Sequence, residues 1–155
     1  MPDDFRSMGW AMEEAKIAYE LGEVPIGAVI VDGDGNVISR GHNMRESWKD
    51  ATAHAEIIAI REACKKLGRW RLSGLTLYVT IEPCPMCAGA LVMSRMDRVV
   101  YGSSDAKAGA AESLFNIVES PALNHRLQVT AGVRQEECRE IMKRFFAERR
   151  ERRKE

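Results

Sequence analysis

Two segments far apart in the chain, His54-Ala55-Glu56 and Pro83-Cys84-Pro85-Met86-Cys87, offer one imidazole and two thiols to a single borderline-soft ion, and that requirement narrows the folds open to the sequence. The two thiols stand three apart, and Pro85 suits the first turn of a helix, so both sulfurs leave the same face of that turn. Exposed amides and the positive end of the helix dipole lower a thiol's pKa there, which eases the deprotonation that metal binding needs. His54 opens a second amphipathic run. Glu56, two positions on, points elsewhere around that helix and can approach the ion's fourth position from the side. Two helix N-termini must therefore converge on one point.

A zinc ion that only supports structure takes four protein ligands, whereas a catalytic one keeps a position for water. The candidates for a fourth ligand are His42, Cys64, His125 and Cys138. Cys64, on the same continuous helix as His54, lies roughly 15 Å along it and drops out. Spacing leaves the other three open. Three ligands with a spare acid favour an open, hydrolytic site.

Residues 5–19 carry Phe5, Met8, Met12, Ala15 and Tyr19 at helical spacing, with Gly22 where a helix would end. Residues 25–31 and 37–41 flank a turn-rich stretch and read as a hairpin. A polar loop is expected over 43–52, then a helix from His54 to Leu67 closed by Gly68. Residues 75–80 read as an alternating strand, 85–95 as a helix and 98–102 as a strand. The stretch 103–124 is the least readable, and it is long enough to be functional. A fifth strand near 127–131 and a last helix from about Gln135, with Ile141, Met142, Phe145 and Phe146 inward, complete the chain. Strands alternating with helices predict an α/β sheet covered on both faces, partly parallel, with ligand sites at strand ends. No internal repeat or linker divides the sequence, so residues 1–155 are expected to form one domain with a basic C-terminal helix.

The 155 residues are 45% hydrophobic, enough for one substantial core. No apolar run approaches the roughly 20 residues of a membrane span, and the acidic, amphipathic start does not resemble a signal peptide, so a cytoplasmic protein without membrane contact is expected. Cys84 and Cys87 then favour metal over a disulfide, leaving Cys64 and Cys138 as small buried hydrophobes. A formal net charge of zero hides an uneven distribution: residues 143–155 hold seven basic and three acidic groups, so that segment carries +4 and the rest −4. Such a stripe can meet phosphates, although charge alone favours the plainer reading of a solvated helix end with Arg near the negative pole of the dipole.

H-x-E followed by P-C-x-x-C is the pattern of zinc nucleobase deaminases, in which the carboxylate shuttles protons. With Gly22-Glu-Val-Pro-Ile-Gly-Ala28, His42-Asn43, Thr52-Ala-His-Ala-Glu56, Glu82-Pro-Cys-Pro-Met-Cys-Ala-Gly89, Asp105-Ala-Lys107, Asn124-His-Arg126 and Phe145-Phe146, nearly the whole chain resembles the bacterial tRNA-specific adenosine deaminases of the cytidine deaminase-like superfamily. The resemblance implies a three-layer α/β/α fold with a mixed five-stranded sheet flanked by helices. It implies one zinc ion per subunit on His54, Cys84 and Cys87, Glu56 as proton shuttle, and Asn43 and the backbone of Ala55 and Cys84 against the target base. It implies that Asp105, Lys107, Asn124, His125, Arg126, Phe145, Phe146 and Arg149 line the RNA path. It implies a homodimer acting on a tRNA anticodon stem-loop, making inosine at the wobble position without an organic cofactor. Adjacent helical positions rarely face the same way, so one of Phe145 and Phe146 is expected in the core.

Glu112 takes a place where the family pattern has a small residue, and an acid near RNA weakens binding; Ser103-Ser104 also depart from the pattern in preceding Asp105 without a basic residue, and Arg45 and the segment around Trp48 have no assigned contact. The runner-up reading is a guanine or other free-base or nucleotide deaminase of the same fold, against which the Asn124-His125-Arg126 motif and the basic tail argue. A non-enzymatic zinc-stabilised RNA-binding module is a third, and Glu56 argues against it.

Overall fold

The computed structural model describes residues 2–154. The chain opens with α1 (Asp4–Glu20), whose N-cap Asp3 accepts a hydrogen bond from the Arg6 amide at 3.1 Å. A hairpin follows, β1 (Gly27–Val31) and β2 (Val37–His42), then a single short turn of helix, α2 (Arg45–Trp48). Next come α3 (Ala55–Leu67), β3 (Thr76–Ile81), α4 (Pro85–Met93), β4 (Arg98–Ser103), β5 (Gln128–Ala131) and α5 (Gln135–Arg153). The expected polar loop over 43–52 thus contains a helix that has no apolar periodicity of its own.

The strands form one sheet in the order β2-β1-β3-β4-β5, antiparallel where β1 meets β2 and β3, parallel from β3 through β5. The expected mixed five-stranded α/β sheet is what the chain forms. Helices cover both faces. On one side Ala59, Ile60 and Ala63 of α3 and Ala88, Leu91 and Val92 of α4 pack on Ile30, Leu77, Val79 and Val99. On the other, Met8, Ala11 and Met12 of α1 and Cys138 of α5 pack on Val29, Val31, Tyr78 and Val100. β3 does not alternate as expected: all six of its residues are buried, because helices lie over both of its faces. Phe5 lies outside the α1 stripe, 61% exposed, with the Arg134 guanidinium 3.7 Å from its ring centroid.

Two glycines let the helices lie this close. A Cβ on Gly27 would strike the backbone of α1 at Ala11 and Ala15, and one on Gly41 would strike the backbone of α3 at Ala55 and Ala59. Gly41→Ala is therefore expected to destabilise the fold by about 1–3 kcal/mol through overpacking, read as a lower urea midpoint with unchanged slope.

β3 and β4 run parallel, so their C-terminal ends, at Ile81 and Ser103, lie together. α4 starts from that end, and the connection from β4 to β5 leaves from it without forming a helix. Crevices at the carboxyl ends of parallel strands are where such sheets hold ligands. No helix among the described residues is long and apolar enough to cross a membrane.

Candidate metal centre and active site

His54 and Cys84 are the N-cap residues of α3 and α4, each with extended backbone, and Pro85 opens α4. The two helix starts converge. His54 Nδ1 lies 3.6 Å from Cys84 Sγ and 3.5 Å from Cys87 Sγ, and the three donor atoms all fall within 4.8 Å of one another. A tetrahedral zinc with bonds of about 2.0–2.1 Å to nitrogen and 2.3 Å to sulfur needs an N···S separation of about 3.5 Å, so the donor set fits the ion in spacing as well as in chemistry. The residues left open as a fourth ligand are otherwise engaged. His42 Nδ1 pairs with Glu14 at 2.9 Å, His125 with the Met96 carbonyl at 2.6 Å, and Cys138 lies against Gly102 on the α1 and α5 side of the sheet. All four cysteines are free thiols. Cys138 is buried, but Cys64 is only partly so, its thiol 3.8 Å from the Trp70 carbonyl at the end of α3; helical spacing does not tell the rim of a core from its centre.

Charge at the site is tuned by proximity and burial. The Cys84 thiol is pulled down to about 4, first by the hydrogen bond from Cys87, with the His54 imidazole adding to it. Cys87 is pushed up by its place beside that thiolate and by burial. His54 is raised, chiefly by its hydrogen bond to Cys84. Glu56 is 4% exposed, and burial pushes its carboxyl up to about 7, with the Cys84 thiolate raising it further against the opposing backbone hydrogen bond. A carboxyl poised near neutrality can both take and give a proton at cellular pH.

Beside this cluster is a small pocket lined by Val24, Ile26, Asn43, Arg45, His54, Ala55 and Glu56. Asn43 is 5% exposed and held at three points: its amide N–H donates to Ile26 O (3.1 Å), Nδ2 donates to Val24 O (3.3 Å), and Oδ1 accepts from the Arg45 amide (3.2 Å). One Nδ2 hydrogen and an Oδ1 lone pair remain. Ala55 is the first residue of α3, where a helix leaves backbone N–H groups without an intrahelical partner. The α2 turn is fixed by Glu23, 1% exposed, whose carboxylate accepts from the Glu46 and Ser47 amides at 3.1 and 2.6 Å. Sequence reading assigns no role to Val24, Ile26 or Arg45: the first two stand within the motif at residues 22–28, a buried-type run with an acid directly before it, and Arg45 has no assigned contact.

A second buried carboxylate organises the segment after β4. Glu82, 3% exposed and directly before Pro83-Cys84, accepts from the amides of Asp105 (3.0 Å), Ala111 (3.2 Å), Glu112 (2.8 Å) and Ser113 (2.9 Å) and from the Ser113 hydroxyl. Gly109 is required there, since a Cβ would overlap the Glu82 carboxyl. Burial alone would raise the Glu82 pKa, yet these hydrogen bonds outweigh it and hold the group below its ordinary 4.5. A depressed folded pKa contributes stability above about pH 4.5 that is lost as acid protonates the folded carboxylate. Glu82→Gln is thus expected to lose about 1–3 kcal/mol at pH 7. The deficit from wild type should shrink below pH 4, and an equal deficit at both pH values would show that the charge is not responsible.

Asp105 and Lys107 lie in this pinned segment, the Lys107 amide donating to Asp105 Oδ1 at 3.0 Å, with the Lys107 side chain exposed. Glu112 is not idle: it accepts from the Tyr101 hydroxyl at 2.5 Å, which turns its carboxylate toward the sheet. Of the aromatic pair, Phe145 is the core member, 6% exposed and edge-on to Tyr19, while Phe146 is 38% exposed. Arg149 stacks over the Phe145 ring at 5.3 Å. The Asn124-His125-Arg126 motif is placed elsewhere. His125 donates to the carbonyl of Met96, and the Gln128 amide donates to Asp97, at the end of β4 away from Cys84. That is the length of β4, about 17 Å at 3.3 Å per residue. Within one chain these three residues are not brought to the pocket.

A mixed sheet between two helical layers, with a metal-type triad and a buried acid at the carboxyl ends of its parallel strands, is the architecture of the cytidine deaminase-like proteins. The model of the MafB19-like deaminase family matches residues 2–150, and the chain belongs to that family. It is 51% identical over 154 residues to the tRNA-specific adenosine deaminase of Bacillus subtilis (strain 168), covering 99% of this chain and 95% of that protein. A solved chain from a study of A-to-I editing by tRNA:A34 deaminases at the wobble position superposes with a TM-score of 0.84 at 47% identity, over 88% of this chain and 98% of that one. The guanine deaminase of Bacillus subtilis superposes with a TM-score of 0.62 at 37% identity, over 79% of this chain and 81% of that one.

Proposed function

We propose that the protein hydrolyses adenosine to inosine at the wobble position of a tRNA anticodon, releasing ammonia. The observation that carries the reading is the buried Glu56 carboxyl beside a His-Cys-Cys donor set and an apolar-walled pocket. The full-length likeness to tRNA-specific adenosine deaminases supports the choice of substrate.

His54 Nδ1, Cys84 Sγ and Cys87 Sγ would hold one zinc ion per subunit, which when bound lowers the pKa of a water molecule toward neutrality. Glu56 takes the proton of the attacking water, delivers it to the purine ring nitrogen, and helps protonate the departing amine. Val24 and Ile26 wall the base from solvent, and the free hydrogen and lone pair of Asn43 meet the purine edge. The Ala55 and Cys84 amides face the reacting base. No organic cofactor is needed, since the chemistry is hydrolytic.

An anticodon nucleotide is already single-stranded, so splaying it into the pocket costs little. Asp105, Lys107, Phe146 and Arg149 line its approach, and the buried Phe145 supports them. Asn124, His125 and Arg126, a strand's length away, then act on RNA from the second subunit of a homodimer. The chain works as a single deaminase domain in the cytoplasm.

Incubation of the purified protein with unmodified tRNA transcripts, and separately with guanine, tests the reading. Inosine confined to an anticodon loop is expected. Guanine turnover with tRNA left untouched would promote the free-base alternative that the 37% identical guanine deaminase keeps in view.

A further inference from the structure

Arg45 shares the pocket with Asn43, His54, Ala55 and Glu56, yet its side chain has no part in the proton transfers and base contacts proposed for them. Its backbone is held from both sides. The Arg45 amide donates to Asn43 Oδ1 at 3.2 Å, and the next two amides, of Glu46 and Ser47, donate to the buried Glu23 carboxylate. The side chain is the opposite: Arg45 is exposed, and among the described residues its guanidinium enters none of the ion pairs within 4.0 Å. Glu23 is near enough for the Arg45 charge to help hold its carboxyl low, but the two form no ion pair within 4.0 Å, and the Glu23 oxygens accept from α2 amides instead.

An exposed guanidinium with no partner, on a backbone held in place, is available to an external anion, and its planar fork matches phosphate oxygens in pairs. Position decides which part of a nucleotide it meets. Asn43 and Glu56, 5% and 4% exposed, take the depth of the pocket, so a base that reaches them leaves its sugar and phosphate outside, where the exposed Arg45 stands. The geometry points to Arg45 as a substrate-binding residue that grips the phosphodiester flanking the inserted nucleotide. This deepens the tRNA reading and rests on it. A free base carries no phosphate, so the contact also selects polynucleotide over nucleobase.

The test is steady-state deamination of an unmodified anticodon stem-loop RNA by the full-length, zinc-loaded protein across a salt series, with wild type, Arg45→Gln and Arg45→Lys. Arg45→Gln should raise KM about tenfold, the scale of one hydrogen bond to a charged group, with kcat changing less than about twofold. It should also flatten the fall of log(kcat/KM) with log salt by about 0.7, the contribution of one phosphate on a single strand. Arg45→Lys should keep the wild-type salt slope, since its charge remains, while recovering only part of the affinity. An Arg45→Gln protein with wild-type KM and salt slope overturns the inference and leaves the tRNA reading standing. A fall in kcat with KM unchanged also overturns it, because the residue would then act only through α2. A wild-type protein that makes no inosine in the stem-loop removes the tRNA reading, and Arg45's role with it.

Discussion

Glu56→Ala should bind one equivalent of zinc, keep its fold and lose turnover by roughly 10²–10⁴-fold, the range that general acid-base catalysis supplies. The acid is nearly sealed from water, burial lifts its carboxyl to about 7, and it shares its pocket with His54 rather than joining the His54, Cys84 and Cys87 donor set. Removing it takes away the proton carrier and spares the ligands. Glu56→Gln, which keeps the shape, should be equally inactive, since a carboxamide cannot ferry a proton. Metal content by elemental analysis, far-ultraviolet circular dichroism and ammonia release from RNA check the three parts separately. Substantial turnover by either variant would remove Glu56 from the chemistry.

Cys87→Ala should fail for a different reason. Cys87 is fully buried and stands 3.5 Å from the imidazole that would share its ion. Structural zinc sites bind with about 10–16 kcal/mol over four ligands, so one ligand is worth about 3 kcal/mol, or roughly two orders of magnitude in affinity. The variant should therefore come out of purification with little zinc and negligible activity. Wild type stripped with a chelator should lose activity and regain it on zinc addition. Loading should release protons, the raised Cys87 thiol among their sources, so apparent zinc affinity should fall as the pH is lowered. Full zinc occupancy in Cys87→Ala would mean that another group completes the site.

The two variants separate the roles that the site combines: a bound, inactive protein in one case, an unloaded protein in the other. Gly41→Ala and Glu82→Gln probe how the surrounding structure holds those roles in place, and Arg45→Gln probes the grip on the RNA itself.

Much of the fold was legible because its elements carry their own signals. The α1 stripe of Met8, Met12 and Ala15, the hairpin around residues 32–36, and Pro85 at the start of α4 each encode local structure within a few residues. α2 was not legible, since four residues without an apolar face form a helix there only because the Glu23 carboxylate, distant in sequence, takes two of its amides. The segment after β4 was unreadable for the same reason. Its shape is set by Glu82, just past the end of β3, and no local propensity announces a nest of amides around a carboxylate.

Residue chemistry and helical spacing are local properties, so the ligand types, their placement at two helix starts and the acid that stands apart from them are all readable in the chain before it folds. Long-range packing settles the rest: His42, His125 and Cys138 are engaged elsewhere, Phe145 is buried and Phe146 is not, Asn124, His125 and Arg126 stand a strand's length from the pocket, and the exposed Arg45 lines it. Those outcomes depend on which strand lies beside which and on where buried carboxylates find their donors, and pairings between residues distant in the chain leave no periodicity to read.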